Sequence, residues 1–77
     1  MDLESKIKEI SKKNHCVFLQ NYYTSADDCI GYDFIGVYAK IVGYVNINRA
    51  TYRVYAETKE EILKKLFQLL IDINLTK

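Results

Sequence analysis

The stretch TYRVYAETKEEI, from Thr51 to Ile62, changes its hydrophobic period halfway along. Up to Ala56, apolar and polar side chains alternate as they do in a β-strand that has one buried face. From Thr58 onward, the letters TKEE match the T-x-x-E capping box that marks the beginning of a helix. The stretch therefore predicts a strand that leads directly into a helix.

The predicted C-terminal helix carries a broad apolar face. Glu60 and Glu61 precede Lys64 and Lys65 by one helical turn, a spacing that favours ion pairs on the helix surface. The apolar residues at the spacing of one helix face are Ile62, Leu66, Leu69, Leu70 and Ile73. The apolar residues that widen this face are Leu63, Phe67 and Ile71. The extra width predicts a second helix beside this one, with a homodimer interface as the alternative.

The sequence YVNINRATYRVYA, residues 44–56, predicts a β-hairpin. With residues 48–51 as the turn, Ile47 lies opposite Tyr52, and Val45 lies opposite Val54. One face of the hairpin then carries the expected core residues Val45, Ile47, Tyr52, Val54 and Ala56. The other face carries the expected solvent-exposed residues Tyr44, Asn46, Arg53 and Tyr55. A slip of one residue would mix the two sets, which is the reason for choosing this register.

The N-terminal part predicts one helix and one strand. The spacing of Leu3, Ile7 and Ile10 predicts a helix from Leu3 to Lys13. Asp2 is expected to cap its beginning, and Asn14 is expected to close it in the left-handed conformation. Residues 15–23, HCVFLQNYY, predict a strand that is apolar on both faces and therefore either central in its sheet or covered on each side.

The middle of the chain is less regular. Residues 24–29 are interpreted as a loop, although Ser25 and Asp28 also fit a capping box. The following run from Gly31 to Ile47 is rich in β-branched and aromatic residues, which favours strand over helix. It forms either one bent strand or two strands, with Gly36 or Gly43 at the bend.

These elements predict a single α+β domain over residues 1–77. The order is α-β-β-β-α, with a fourth strand if the middle run divides. The expected sheet is antiparallel, has three or four strands, and carries both helices on one face. The other sheet face is expected to be open.

The bulk composition excludes several function classes. The net charge is only +1, so the chain as a whole has no pull toward nucleic acid or an anionic membrane. No run approaches the about 20 apolar residues of a membrane span. Two cysteines are too few for a disulfide scaffold, so Cys16 and Cys29 are expected to be free thiols in the cytoplasm.

The sequence predicts no catalytic, metal or cofactor site. The one histidine, His15, lies at the junction between helix and strand, and its neighbour Cys16 points to the other face of the strand. The carboxylates of Asp27, Asp28 and Asp33 do not have the spacing of a calcium loop. We therefore expect a protein that is not an enzyme and has no cofactor.

The tyrosines instead suggest a binding surface, because the chain contains 7 of them and tyrosine is enriched where proteins meet. The expected partner-binding residues on the open sheet face are Tyr38, Tyr44, Asn46, Arg53 and Tyr55. A purely structural role is the alternative, since cross-strand aromatic pairs also stabilise sheets. The expected partner is another protein.

A hairpin that runs into a capped helix, here Thr51 to Thr58, resembles the double-stranded-RNA-binding domain. The resemblance covers the order of elements over most of the chain, and it implies nucleic-acid binding as an alternative function. That family contacts phosphates through a lysine-rich beginning of its second helix. At the corresponding place, residues 58–62 read TKEEI, so only Lys59 matches.

In size and composition the chain is also similar to the small proteins of phages and mobile elements, of which anti-CRISPR inhibitors are the best-known group. That group shares no motif, so no residue role follows from the similarity. It implies an inhibitor that covers a surface of a nuclease complex, such as a CRISPR effector subunit, in the cytoplasm of the host cell. A third hypothesis, beside the inhibitor and the nucleic-acid-binding module, is a homodimeric adaptor. The chain is therefore expected to be a monomer or a homodimer.

Overall fold

The computed structural model describes residues 2–19, 28–35 and 40–76. Its elements, in chain order, are α1 (Leu3–Lys13), β1 (Val17–Leu19), β2 (Cys29–Ile35), β3 (Lys40–Ile47), β4 (Ala50–Ala56) and α2 (Lys59–Asp72). This order confirms the predicted α+β class. It also shows that the middle run contains two strands, with Gly36 outside the described residues.

The four strands form one sheet in the order β1-β2-β3-β4. β2, β3 and β4 are antiparallel neighbours, but β1 pairs with β2 in the parallel direction, with Val17 opposite Cys29. The prediction of an antiparallel sheet was therefore wrong for β1. Among the described strands β1 is the first and not central, and Val17 is exposed, so the strand is not covered over both faces either. An apolar pattern identifies the faces of a strand but not the direction or number of its neighbours.

The β3–β4 hairpin has a tighter turn than predicted. Asn48 and Arg49 form the turn with φ values of 51° and 68°, the signature of a type I′ turn. Ile47 consequently lies opposite Ala50, and Val45 opposite Tyr52. The predicted register was wrong by two residues because Arg49 occupies a position where glycine is the usual signal. A shift of two preserves the faces, so the predicted division of the hairpin into two faces is confirmed.

Both helices begin with the predicted caps. The Asp2 carboxylate accepts a hydrogen bond of 2.7 Å from the Ser5 N–H, and this bond lowers the pKa of Asp2. The Thr58 hydroxyl accepts one of 3.2 Å from the Glu61 N–H. At the end of α1, the left-handed residue is His15, with φ 58°, whereas Asn14 has φ −99°. The prediction for Asn14 was therefore wrong by one residue, and its side-chain amide instead donates to the carbonyls of Ile10 and Leu75.

Those partners show how the helices lie. The Asn14 amide donates to the Leu75 carbonyl, beyond the end of α2, at 2.9 Å. At the opposite end, Lys59 at the beginning of α2 lies 3.7 Å from the Glu4 carboxylate near the beginning of α1. The two helices therefore lie side by side and run in the same direction.

The core lies between the helices and one face of the sheet. α2 packs against β3 and β4, and α1 packs against β1 and α2. The core cluster includes Ile7, Ile30, Ile41, Val45, Ala56, Ile62, Leu63, Leu66 and Leu70. The other residues that widen the face of α2 are less enclosed: Phe67 is partly buried against this core and Ile71 is exposed. Both helices therefore lie on one face of the sheet, as the sequence predicted.

Gly43 marks a close approach and not a bend. β3 continues through it, with Tyr32 and Val54 as its neighbours on the two adjoining strands. A Cβ atom at this position would lie 2.8 Å from Cγ of Leu66 on α2. The absence of a side chain at Gly43 therefore lets α2 sit directly on the sheet.

Candidate functional site

The sheet face opposite the helices, here called the outer face, carries the predicted binding residues. Arg53 and Tyr55 lie on it in β4 and are exposed, Tyr55 to 51%. Tyr44 lies directly opposite Arg53, and Asn46 lies opposite Thr51. The sheet thus brings four of the five predicted residues together, while Tyr38 lies outside the described residues.

Tyr44 is nevertheless buried. Only 1% of its surface is exposed, and neighbouring Gly31 and Cys29 on β2 are buried as well. Asn46 is half-buried and donates a hydrogen bond of 3.2 Å to Sγ of Cys29. The expectation of an open outer face was wrong for its middle, on β2 and β3, which is enclosed. Exposed side chains lie on either side of this middle, with Val17 on β1 and Thr51, Arg53 and Tyr55 on β4. The alternation that predicted the face carries no information about what covers it.

For Tyr52 the prediction erred in the other direction, because an expected buried residue is exposed. It was predicted as a core residue, and it does lie on the helix side of β4, but 37% of its surface is exposed. β4 is the last of the described strands in the sheet, so among them it has a neighbour, β3, on one side only. The partner-binding prediction therefore omitted an exposed aromatic residue, which only the strand order reveals.

The free edge of β4 presents backbone groups as well as side chains. Ile47 and Ala50 flank a two-residue turn and form a hydrogen-bonded pair, and such pairs alternate along an antiparallel ladder. The N–H and C=O groups of Thr51, Arg53 and Tyr55 consequently point away from β3. Lys65 confirms this direction, because its ammonium donates a 2.6 Å hydrogen bond to the Tyr55 carbonyl.

Charged side chains surround this edge. Arg49, in the turn, and Arg53 are exposed, and Glu57 is exposed just beyond the other end of β4. Lys65 also forms an ion pair of 3.4 Å with Glu61 on the surface of α2. A shallow depression of about 390 Å³ adjoins Tyr55, lined also by Lys40, Ala56, Glu57, Glu61 and Lys65. The exposed part of β4 therefore combines aromatic, basic and acidic groups.

A second polar cluster joins α1, β2 and α2. The hydroxyl of buried Tyr32 donates a 2.8 Å hydrogen bond to the Glu4 carboxylate, which also lies near Lys59. Burial, and then Glu4, raise the pKa of Tyr32. The charges of Tyr32 and Glu4 in turn raise the pKa of Lys59. The raised pKa keeps the Tyr32 hydroxyl protonated, so it donates to the Glu4 carboxylate and ties β2 to α1.

Replacing Tyr32 with Phe is expected to lower the free energy of unfolding by about 1.5–3 kcal/mol, because a hydrogen bond to a charged acceptor is lost. Glu4→Gln is the matched control: its amide oxygen still accepts from Tyr32, so a smaller loss is expected. Urea unfolding at pH 7 measures both variants. A larger loss for Glu4→Gln would contradict the assignment of the tie to this hydrogen bond.

The same cluster sets a pH dependence. Because the pKa of Tyr32 is raised in the folded protein, its stabilisation is complete below the unfolded value of about 10 and is lost as pH rises above it. The stability difference between the wild-type protein and Tyr32→Phe should therefore be constant from pH 7 to 9 and shrink above pH 10. A difference that grows above pH 10 would contradict this sign.

The two thiols lie inside the protein. Cys16 and Cys29 are both buried and free, as predicted. Burial, Asp28 and Cys29 raise the pKa of Cys16, which keeps the thiol protonated and weakens it as a nucleophile. Within residues 2–19, 28–35 and 40–76, no group of three or more His, Cys, Asp or Glu side chains could hold a metal ion. Asp27 lies outside these residues.

Neither α1 nor α2, the helices of the described residues, is long and apolar enough to cross a membrane. Comparison of the chain with protein-family models, with curated proteins and with solved structures finds no match.

Proposed function

We propose that the protein is a small, non-enzymatic protein-binding module that contacts its partner with the outer face of β4. The observation that carries this proposal is the exposure of Tyr55 and Arg53 side by side on a strand at the border of the sheet. Tyrosine and arginine are the residue types that most often dominate the energy of protein interfaces. The depression beside Tyr55 supplies a concave rim against which a partner side chain can pack.

A protein partner accounts for this surface better than a nucleic acid does. The beginning of α2, where the double-stranded-RNA-binding domain places its phosphate contacts, carries exposed Glu60 and Glu61. Both glutamates repel phosphates, and Lys59 is already close to Glu4. The basic groups at β4 are accompanied by Glu57, so the surface is mixed in charge.

The double variant Arg53→Ala, Tyr55→Ala is expected to fold and to lose its partner. Both side chains are exposed, so the free energy of unfolding should fall by less than about 1 kcal/mol. Loss of two interface residues of this kind should weaken binding about tenfold or more. The matched control is Glu9→Ala, Lys12→Ala, which removes two exposed side chains from α1.

The experiment is an affinity capture of the tagged full chain from bacterial lysate, with and without nuclease treatment, read by mass spectrometry. A protein that survives nuclease, binds the control and is lost from the β4 variant supports the proposal. Equal recovery by both variants contradicts it. Recovery that depends on RNA favours the nucleic-acid alternative, and an unfolded β4 variant would show that these side chains serve the fold.

In its narrower form the proposal names a nuclease complex of the host cytoplasm, such as a CRISPR effector, as the partner that is inhibited. The small size of the chain and the aromatic outer side of β4 support this form. A panel of reconstituted effector cleavage reactions tests it, with the same β4 and α1 variants. Inhibition by the wild-type protein and the α1 variant, but not the β4 variant, is expected; no inhibition in any reaction contradicts the narrower form.

A further inference from the structure

The free edge of β4 is unprotected over most of its length. In the part of the chain that the structure describes, no hydrogen bond reaches the outward backbone groups of Thr51 and Arg53, and Lys65 occupies the carbonyl of Tyr55. Natural proteins usually cover or interrupt such an edge, because it accepts another strand. Among the described residues, Lys65 alone donates a hydrogen bond to a backbone group of this edge.

We propose that two copies of the chain pair antiparallel through their β4 edges, about a two-fold axis at Arg53, and so form one continuous eight-stranded sheet. This goes beyond the proposed function, because it uses the backbone edge of β4 and not its outer face. Neither proposal requires the other.

The register follows from the direction of the backbone groups. A residue whose backbone N–H and C=O point out of the edge must lie opposite such a residue in the second copy, so that the two exchange hydrogen bonds. This condition allows the two-fold axis to pass at Tyr52, Arg53 or Val54. The axis at Arg53 is the one that uses Thr51, Arg53 and Tyr55 of both copies, and it gives about six backbone hydrogen bonds. An axis at Val54 would instead place Arg49 opposite Lys59 of the second copy, which is repulsive.

Charge complementarity favours a second copy as the occupant of this edge. With the axis at Arg53, Arg49 of each copy lies opposite Glu57 of the other, so each end of the paired strands gains an opposite-charge pair. On the helix side, exposed Tyr52 lies opposite Val54 of the second copy. The main unfavourable contribution is at the two-fold axis, where the two positively charged Arg53 side chains repel each other.

The backbone of Arg49 supports this role for its side chain. Its φ of 68° lies in the left-handed region, which is uncommon for a residue other than glycine, asparagine or aspartate. Glycine at this turn position would relieve the strain. A strained residue with a charged side chain at the end of a free edge is explained if that side chain has a partner across the edge.

The pairing is expected to be weak. An edge contact alone buries less than the about 1,000 Å² of a stable interface, and Lys65 must release the Tyr55 carbonyl before the strands meet. We therefore expect a dimer that forms above about 10 μM. Lys65→Met, which keeps the apolar stem and removes the donor, should strengthen dimerisation, and Arg53→Thr should strengthen it by removing the repulsion at the axis.

Sedimentation equilibrium of the full chain from about 10 μM to 1 mM tests the proposal in this weak range. Wild-type protein should shift from monomer to dimer, and Arg53→Pro should stay monomeric at 1 mM. Proline at position 53 removes an outward N–H but no hydrogen bond between β3 and β4, so the monomer should fold. A monomeric Lys65→Met protein at 1 mM would overturn the proposal.

A charge exchange tests the register without proline. Glu57→Arg should weaken dimerisation at least threefold, because it opposes Arg49 with a second arginine, and Arg49→Glu combined with Glu57→Arg should restore it. A single variant that dimerises like the wild-type protein, or a double variant that does not recover, would overturn this axis. Affinity capture with the Arg53→Ala, Tyr55→Ala variant tests the binding of another protein, whereas sedimentation tests dimerisation. The failure of one proposal can therefore be distinguished from the failure of the other.

Discussion

Replacing Leu66 with Ala is expected to lower the free energy of unfolding by about 3–5 kcal/mol. Leu66 is fully buried, and its branch lies close to Gly43 of β3, so truncation leaves a cavity where α2 meets the sheet. A domain of this length has a total stability of about 4–12 kcal/mol. The loss is therefore a large part of the total, and urea unfolding followed by circular dichroism measures it.

Leu69→Ala is the matched control, because it makes the same chemical change on the same helix. Leu69 is only partly buried against the core, so a loss of about 1–2 kcal/mol is expected. If the two variants lost the same stability, α2 would not face the sheet through Leu66.

Replacing Gly43 with Ala is expected to lower the free energy of unfolding by about 1–3 kcal/mol. In an open strand this change would be mildly favourable, because alanine has less backbone freedom to lose than glycine. Here the new methyl group would lie 2.8 Å from Cγ of Leu66 and 3.0 Å from Cγ2 of Val54. The nearest atom is at the branch of Leu66, close to its backbone, so α2 itself must move away from the sheet.

A double-mutant cycle separates this clash from other effects. In the Leu66→Ala background, the methyl group of Ala at position 43 enters the space left by the leucine, so Gly43→Ala should be neutral or stabilising there. The coupling energy should exceed about 1 kcal/mol. In the Leu69→Ala background, Gly43→Ala should cost as much as in the wild-type protein. Additive losses with Leu66→Ala would show that Gly43 serves the strand and not the helix contact.

The local signals of the sequence predicted the helices well. The capping interactions of Asp2 and Thr58 involve residues three positions apart, so the sequence contains everything that they need. The predicted bounds of α1 agree with the structure for the same reason. The faces of β4 were also predicted, because they depend only on alternation within the strand.

Properties that depend on strand order were not predictable in this way. Tyr44 and Tyr52 each lie on the predicted side of the sheet, yet one is buried and the other exposed. Their burial depends on which strand is central and which is last, and no local pattern encodes that. The turn at Asn48 and Arg49 was missed because the residue in the second left-handed position is not glycine.

In the candidate site, the sequence predicted the exposed side chains but not the free strand edge. Arg53 and Tyr55 were placed correctly as exposed residues, since both lie on the face away from the core. The free edge of β4 was not foreseen, because edge and centre cannot be distinguished before the sheet is assembled. The role of Lys65 beside that edge depends on a contact between helix and strand ten positions apart.

The shared direction of α1 and α2 has an electrical consequence. The macrodipoles of two helices that run the same way add, with about half a positive charge at each N-terminus. The carboxylates of Glu4, Glu60 and Glu61 lie in the first turns of the two helices, whereas Lys12 and Lys13 lie in the last turn of α1. These side chains therefore offset the partial charges at the ends of the helices, and rising ionic strength should weaken this contribution to stability.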